Sequence, residues 1–97
     1  VLVPKGAYLV IVEETEHRNK YPHLATLQKS VAFWDGLKAR GYKYGWYDVN
    51  LPEIKPYMAA VDKVGPPALL AIMPDGTIPL AVPCPPSTDT INQYLEP

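Results

Sequence analysis

Gly65-Pro66-Pro67-Ala68 leads into Leu69-Leu70-Ala71-Ile72-Met73, then Pro74-Asp75-Gly76-Thr77, then Ile78-Pro79-Leu80-Ala81-Val82, with Cys84 just beyond. Two apolar runs of strand length flank an Asp-Gly pair, a strong short-range signal for a β-hairpin. Two prolines stand directly before the first run. An X-Pro bond is the peptide bond that takes the cis form at low cost, usually in a tight turn. This stretch predicts a turn, a buried strand, a tight reversal and a second antiparallel strand.

Working outward, Ala7–Val12 is a continuous apolar run rich in β-branched residues, as expected of a strand covered on both faces. Residues 13–20, Glu-Glu-Thr-Glu-His-Arg-Asn-Lys, turn fully polar and read as the loop beyond its C-terminal end. Residues 22–40 are helical: Leu24, Leu27, Val31, Trp34 and Leu37 recur at three- and four-residue steps. Pro22 suits the first turn, Gly41 suits the C-terminal cap, and Ser30 marks a point where the helix could split. Residues 42–49 form an aromatic second strand. Residues 50–63 form another helix, with Ile54, Met58 and Val61 facing inward. Pro52 and Pro56 belong near its start, because proline inside a helix removes a hydrogen bond and clashes with the preceding turn. Ser87 or Thr88 caps a last short helix carrying Ile91, Tyr94 and Leu95.

The expected order is therefore βαβαββα in one α/β domain over residues 1–97: a four-stranded mixed sheet flanked by helices. Two strands joined through a helix pair in parallel; the hairpin must be antiparallel. Proline, 12 of 97 residues against about 5% in average usage, punctuates short elements here. The formal charge of −1 and the absence of any basic run argue against nucleic acid as a partner. The longest apolar runs are far short of a membrane span, and no signal peptide is visible. The chain opens on Val1, in keeping with a trimmed chain or a piece of a longer protein, and its compartment is left open. One cysteine excludes an internal disulfide.

This element order resembles the minimal thioredoxin fold. Gly65-Pro66-Pro67-Ala68-Leu69-Leu70 is similar to that family's Gly-Ile-Pro-Thr-Leu-Leu stretch, which would make Pro67 its cis-proline. Asp75-Gly76 falls at the family's hairpin turn, and Tyr47-Asp48-Val49 resembles its Asp-Val strand end. The resemblance covers the chain from Ala7 onward and lacks the extra N-terminal strand and helix of many thioredoxins. It breaks at the site of chemistry. The family's Cys-x-x-Cys pair, whose thiolate attacks disulfides, would fall near His17-Arg18-Asn19-Lys20, where no cysteine stands. Dithiol oxidoreductase activity is thereby excluded.

Three groups of residues can carry function. Cys84 would lie near the proline turn; a single-cysteine thiol or glutathione-handling role stands against a buried, inert thiol. Glu13, Glu14, Glu16, His17, His23 and Asp48 gather at the strands' C-terminal ends, where open α/β sheets bind ligands. Their spacing fits no defined metal motif, and the simpler reading is a solvated loop near a helix start, whose carboxylates Arg18 and Lys20 could also pair with. The aromatics Trp34, Tyr42, Tyr44, Trp46, Tyr47 and Tyr57 come third. Pleating sends Tyr42, Tyr44 and Trp46 to one face and Lys43, Gly45 and Tyr47 to the other. Strand 42–49 is expected at a sheet edge, open to another chain unless Val1-Leu2-Val3 covers it.

The leading expectation is a redox-inactive thioredoxin-fold module that binds a protein or peptide or directs assembly, self-association through the 42–49 edge included. The surface would be that edge, with Tyr44 and Trp46, or the groove among His17, Arg18, Lys20, Tyr21, Pro66, Pro67 and Cys84. A Cys84-dependent enzyme and a purely structural domain of a larger protein are the alternatives. No catalytic residue, cofactor or metal is expected.

Overall fold

The computed structural model describes residues 2–96. Four strands form one mixed sheet in the order β2-β1-β3-β4: β1 (Tyr8–Glu13), β2 (Lys43–Asp48), β3 (Ala68–Ile72) and β4 (Leu80–Pro83). β1 runs parallel to β2 and antiparallel to β3, and β3 runs antiparallel to β4. β1 and β3 occupy the middle, which is why their sequences are apolar almost without interruption. The helices are α1 (His23–Gln28), α2 (Val31–Ala39), α3 (Met58–Val64) and α4 (Thr88–Gln93), with 3₁₀ turns at Thr15–Lys20 and Pro52–Tyr57. None is long and apolar enough to cross a membrane.

The core has two layers. On one face Leu9, Ile11, Leu69 and Ala71 pack with Leu24, Leu27, Trp34, Leu37 and Ile91 from α1, α2 and α4. On the other, Val10, Val12, Leu70 and Ile72 pack with Ile54 and Val61 from the 52–57 turn and α3. Each buried aliphatic side chain contributes about 1.5–3 kcal/mol relative to an exposed one.

The expected 22–40 helix is two helices, broken at Lys29–Ser30. Ser30 does not cap α2 through its side chain; its hydroxyl donates to the Thr26 carbonyl at 2.8 Å. That back-bond competes with regular helix and bends the chain. In the helix expected over residues 50–63, the prolines near its start delay the first regular turn, which they place no earlier than Pro56. Pro56 has no N–H to give to the preceding turn, so residues 52–57 wind as 3₁₀ and regular α-helix begins at Met58.

The reversal predicted at Pro74-Asp75-Gly76-Thr77 is a longer loop over residues 73–79. Gly76 takes φ +89°, and Asp75 Oδ1 accepts from the backbone N–H and hydroxyl of Thr77 at 3.0 and 2.7 Å. Pro79 cannot donate to the β3 ladder, so β4 starts at Leu80. Gly65 ends α3 at φ +90°, and the Pro66–Pro67 peptide that follows is cis.

Val1 lies outside the described residues. Val3 does not cover β2. It pairs with Leu95 at the opposite end of the chain, and its carbonyl accepts from the Tyr42 hydroxyl at 2.8 Å. Among the described residues no strand pairs with the free edge of β2.

Candidate functional site

Glu13 is the last residue of β1 and lies on the same face as Leu9 and Ile11. The polar run over residues 13–20 places it in a solvated loop, yet it is 1% exposed and is the one buried charged residue among those described. Arg18, on the 15–20 turn, clamps it with two parallel bonds: Nε to Oε1 at 2.7 Å and Nη2 to Oε2 at 2.8 Å. Trp46 Nε1 donates to Oε2 from β2. The remaining Arg18 nitrogen, Nη1, donates to Gln28 Oε1 at 3.0 Å. A planar fork gripping a carboxylate is the geometry arginine provides and lysine does not. The Glu13 carboxylate in turn raises the Arg18 pKa above its ordinary value.

Continuing the β1–β3 register past Val12↔Ala68 puts Pro67 beside Glu13. The Cys84 N–H donates to the Pro67 carbonyl at 2.9 Å, which sets Cys84 next in the row. Of the residues expected at the site, Arg18, Trp46, Pro67 and Cys84 thus gather around Glu13. Pro66 lies one step back. Tyr21 is half-buried against the first core layer and meets His23 edge-on at 6.3 Å. Lys20 is exposed. Tyr44 lies farther down β2, in register with Leu9.

The remaining acidic residues do not converge with them. His17 has Glu14 Oε2 at 3.3 Å from Nδ1 and Glu16 Oε1 at 3.9 Å from Nε2, so both ring nitrogens face carboxylates on a wet turn. Asp48 accepts from the Thr15 and Asn50 backbone N–H groups, each at 2.9 Å. These bonds hold its pKa below the usual carboxylate range.

Burial first, and the Glu13 charge second, push the Cys84 thiol up to about 12. The thiol is therefore protonated at neutral pH, and its Sγ faces the Pro85 carbonyl at 3.7 Å. Thiol reagents are expected to modify native Cys84 orders of magnitude more slowly at pH 7.5 than after unfolding in urea. A second consequence appears in stability. An unfolded cysteine ionises near about 8.5, while the folded one keeps its proton to about 12. The unfolded state then binds fewer protons, so stability falls as pH rises above the unfolded value. The expected loss is about 1–2 kcal/mol by pH 10. Urea melts at pH 8 and pH 10 check this; Cys84→Ala should remove that part of the slope.

At the other side of the sheet lies the free edge of β2. The Lys43 N–H donates to the Ala7 carbonyl and the Val49 N–H to the Glu13 carbonyl. Inward-pointing groups recur at every second residue, so residues 45 and 47 complete the ladder to β1. The backbone N–H and C=O of Tyr44 and Trp46 point away from it. Their side chains turn under α2: the Trp34 ring lies 5.2 Å from Tyr44 and 6.3 Å from Trp46. Lys38 Nζ lies 5.1 Å from the Tyr44 ring centroid. An open groove of about 510 Å³ lies at the start of β2, lined by Tyr8, Lys38, Gly41, Tyr42, Lys43 and Tyr44.

Comparison of the chain with family models, with curated proteins and with solved structures finds no match.

Proposed function

We propose that this chain is a thioredoxin-like module without dithiol chemistry, and that it binds an extended segment of another polypeptide along the edge of β2. The family reading is supported by the ββ-parallel, hairpin-antiparallel sheet in the order 2-1-3-4, and by helices on both of its faces. With no Cys-x-x-Cys in the sequence and a protonated Cys84, the function rests on a surface.

The observation that carries the binding role is the open edge itself. Two successive outward residues, Tyr44 and Trp46, offer unpaired backbone groups, and an added strand satisfies such groups directly. Half-buried aromatic rings beside them supply area for alternate side chains of the incoming strand. The groove's two ammonium groups, Lys38 and Lys43, favour acidic side chains on that strand. A second copy of this chain, adding edge to edge, is the competing occupant and is distinguished by solution mass.

Amide exchange tests the reading. In the isolated chain at low concentration, the Gly45 and Tyr47 amides should be protected about a hundredfold or more over those of Tyr44 and Trp46. Random peptides displayed on phage and selected on the protein should yield acidic, extended sequences that slow exchange at Tyr44 and Trp46. Peptides that bind while leaving those two amides fast would overturn the edge role. So would strong protection of both amides in the dilute, monomeric chain.

A further inference from the structure

On the sheet face opposite Glu13, a cavity of about 200 Å³ lies between the strands and the 52–57 turn. Three tyrosines line it, Tyr8 and Tyr47 from the sheet and Tyr57 from the turn. Val10 and Ile72, both buried, supply apolar surface, and Glu53 is its one carboxylate. No lysine, arginine or histidine lines it. The turn is anchored against the sheet by Ile54, 1% exposed.

Two of the rings are fixed in place. The Tyr8 and Tyr47 hydroxyls are hydrogen-bonded at 2.5 Å, with ring centroids 6.4 Å apart and planes inclined at 54°. They meet over the bare α-carbon of Gly45. A Cβ there would come within 2.5 Å of the Tyr8 hydroxyl oxygen and 2.7 Å of Tyr47 Cε2. Glycine at this position of an aromatic strand is what lets the two rings form a corner.

We infer that this cavity binds a methylated ammonium group, with Tyr8, Tyr47 and Tyr57 as its aromatic walls and Glu53 as its counter-charge. Aromatic rings carry a negative quadrupole that attracts cations, and quaternary ammonium recognition is its characteristic use. A cavity of this size is below the roughly 300–1,000 Å³ of sites for larger ligands and suits a compact head group. The polar inventory selects methylated over primary amines. A primary ammonium brings three N–H donors to be satisfied at once; the Val10, Ile54 and Ile72 side chains offer no acceptor, and those present are the tyrosine hydroxyls and the Glu53 carboxylate. A quaternary ammonium has no donor to satisfy. The site is separate from the β2 backbone edge: the edge role fails on amide exchange, and this one fails on the titrations below.

Two sources present this chemistry, a free head group such as choline and a trimethylated lysine in a polypeptide. Choline chloride, followed by the tyrosine ring resonances, should bind saturably in the millimolar range. Its uncharged carbon isostere, 3,3-dimethylbutan-1-ol, should bind about tenfold more weakly. A short Gly/Ser peptide carrying trimethyl-lysine distinguishes the sources. Binding tighter than choline and than its unmethylated copy assigns a modified polypeptide; choline binding at least as tightly assigns a free head group. Glu53→Gln changes an exposed side chain and should weaken choline about threefold in a folded protein. Tyr57→Phe should retain binding and Tyr57→Leu should lose about tenfold. Equal affinity for choline and its isostere, no saturable shift with either choline or the peptide, or an unaltered affinity in Tyr57→Leu would overturn the inference.

Discussion

Arg18→Met should cost about 3–5 kcal/mol of folding stability, the range found when one partner of a buried ion pair is removed. Glu13 is 1% exposed and cannot regain water while the sheet is intact. Loss of the guanidinium strips it of two charge-assisted bonds at 2.7 and 2.8 Å and leaves Trp46 as its donor. The reverse change is milder. Glu13→Leu leaves an arginine whose side chain is 34% exposed and can turn to solvent, so its cost is the stranded Trp46 N–H, about 1–3 kcal/mol. The double variant Glu13→Leu, Arg18→Met should recover most of the loss, because no unpaired charge remains. Urea unfolding of the four proteins gives the cycle directly. An Arg18→Met cost below that of Glu13→Leu would show that the carboxylate finds other donors and that Arg18 does not clamp it. Since Arg18 sits on the 15–20 turn, its loss should also loosen that turn from the sheet, visible as faster amide exchange at Tyr21 and Leu24.

This pair marks the boundary of what the sequence conveys. Elements with strong periodicity were legible: the apolar runs of β1 and β3, the Leu24–Leu27 and Trp34–Leu37 faces, and the two-sided pattern of β2 all follow from residue type and spacing. Glu13 was hidden by its neighbours. Followed by seven more polar residues, it reads as the start of a loop, and charge is normally solvated. The available signal was parity: Leu9, Ile11 and Glu13 alternate onto one face, and Trp46 faces it from β2. Pairing of the loop's carboxylates with Arg18 or Lys20 was legible as a possibility; the choice of Arg18 for Glu13 was not, because it depends on the 15–20 3₁₀ turn bringing that residue back over the strand end. The tight hairpin failed for a different reason. Asp75-Gly76 does make the turn, but Pro74 and Pro79 withhold ladder donors on either side, and the loop widens to seven residues. The tyrosine cavity was illegible because Tyr8, Tyr47 and Tyr57 come from three separate elements. The glycine that admits two of them reads in sequence only as a weak spot in an aromatic strand.

The Tyr44 and Trp46 rings beside the β2 edge rest on one side chain, and Trp34→Ala should have the broadest effect of any single change on that side of the sheet. Trp34 is 4% exposed, and its Nε1 donates to the Leu27 carbonyl at 2.7 Å, tying α2 to the end of α1 across the Ser30 break. Its ring meets Phe33 edge-on at 5.1 Å and Trp46 edge-on at 6.3 Å, and lies tilted against Tyr44 at 5.2 Å. Truncation to alanine removes the ring and leaves a cavity, at an expected cost of about 3–5 kcal/mol, a large part of the 5–15 kcal/mol that holds a typical domain together. Trp34→Phe keeps most of the volume. It gives up the bond to Leu27, whose carbonyl still accepts from the Ser30 N–H at 3.1 Å, so about 1–2 kcal/mol is expected. The chain has two tryptophans, so either variant leaves Trp46 as the one indole reporter. In Trp34→Phe its emission should stay near that of a half-buried indole. In Trp34→Ala it should shift to the red as the ring loses its neighbour and meets water. If the edge of β2 receives a peptide strand, Trp34→Ala should also weaken that peptide in the still-folded fraction, while Trp34→Phe should not. The backbone groups that bond the strand are unchanged in both, and only in alanine are the Tyr44 and Trp46 rings free to leave the positions that flank them. Equal peptide affinity in the two variants would mean that the rings contribute nothing to the edge and that its backbone acts alone.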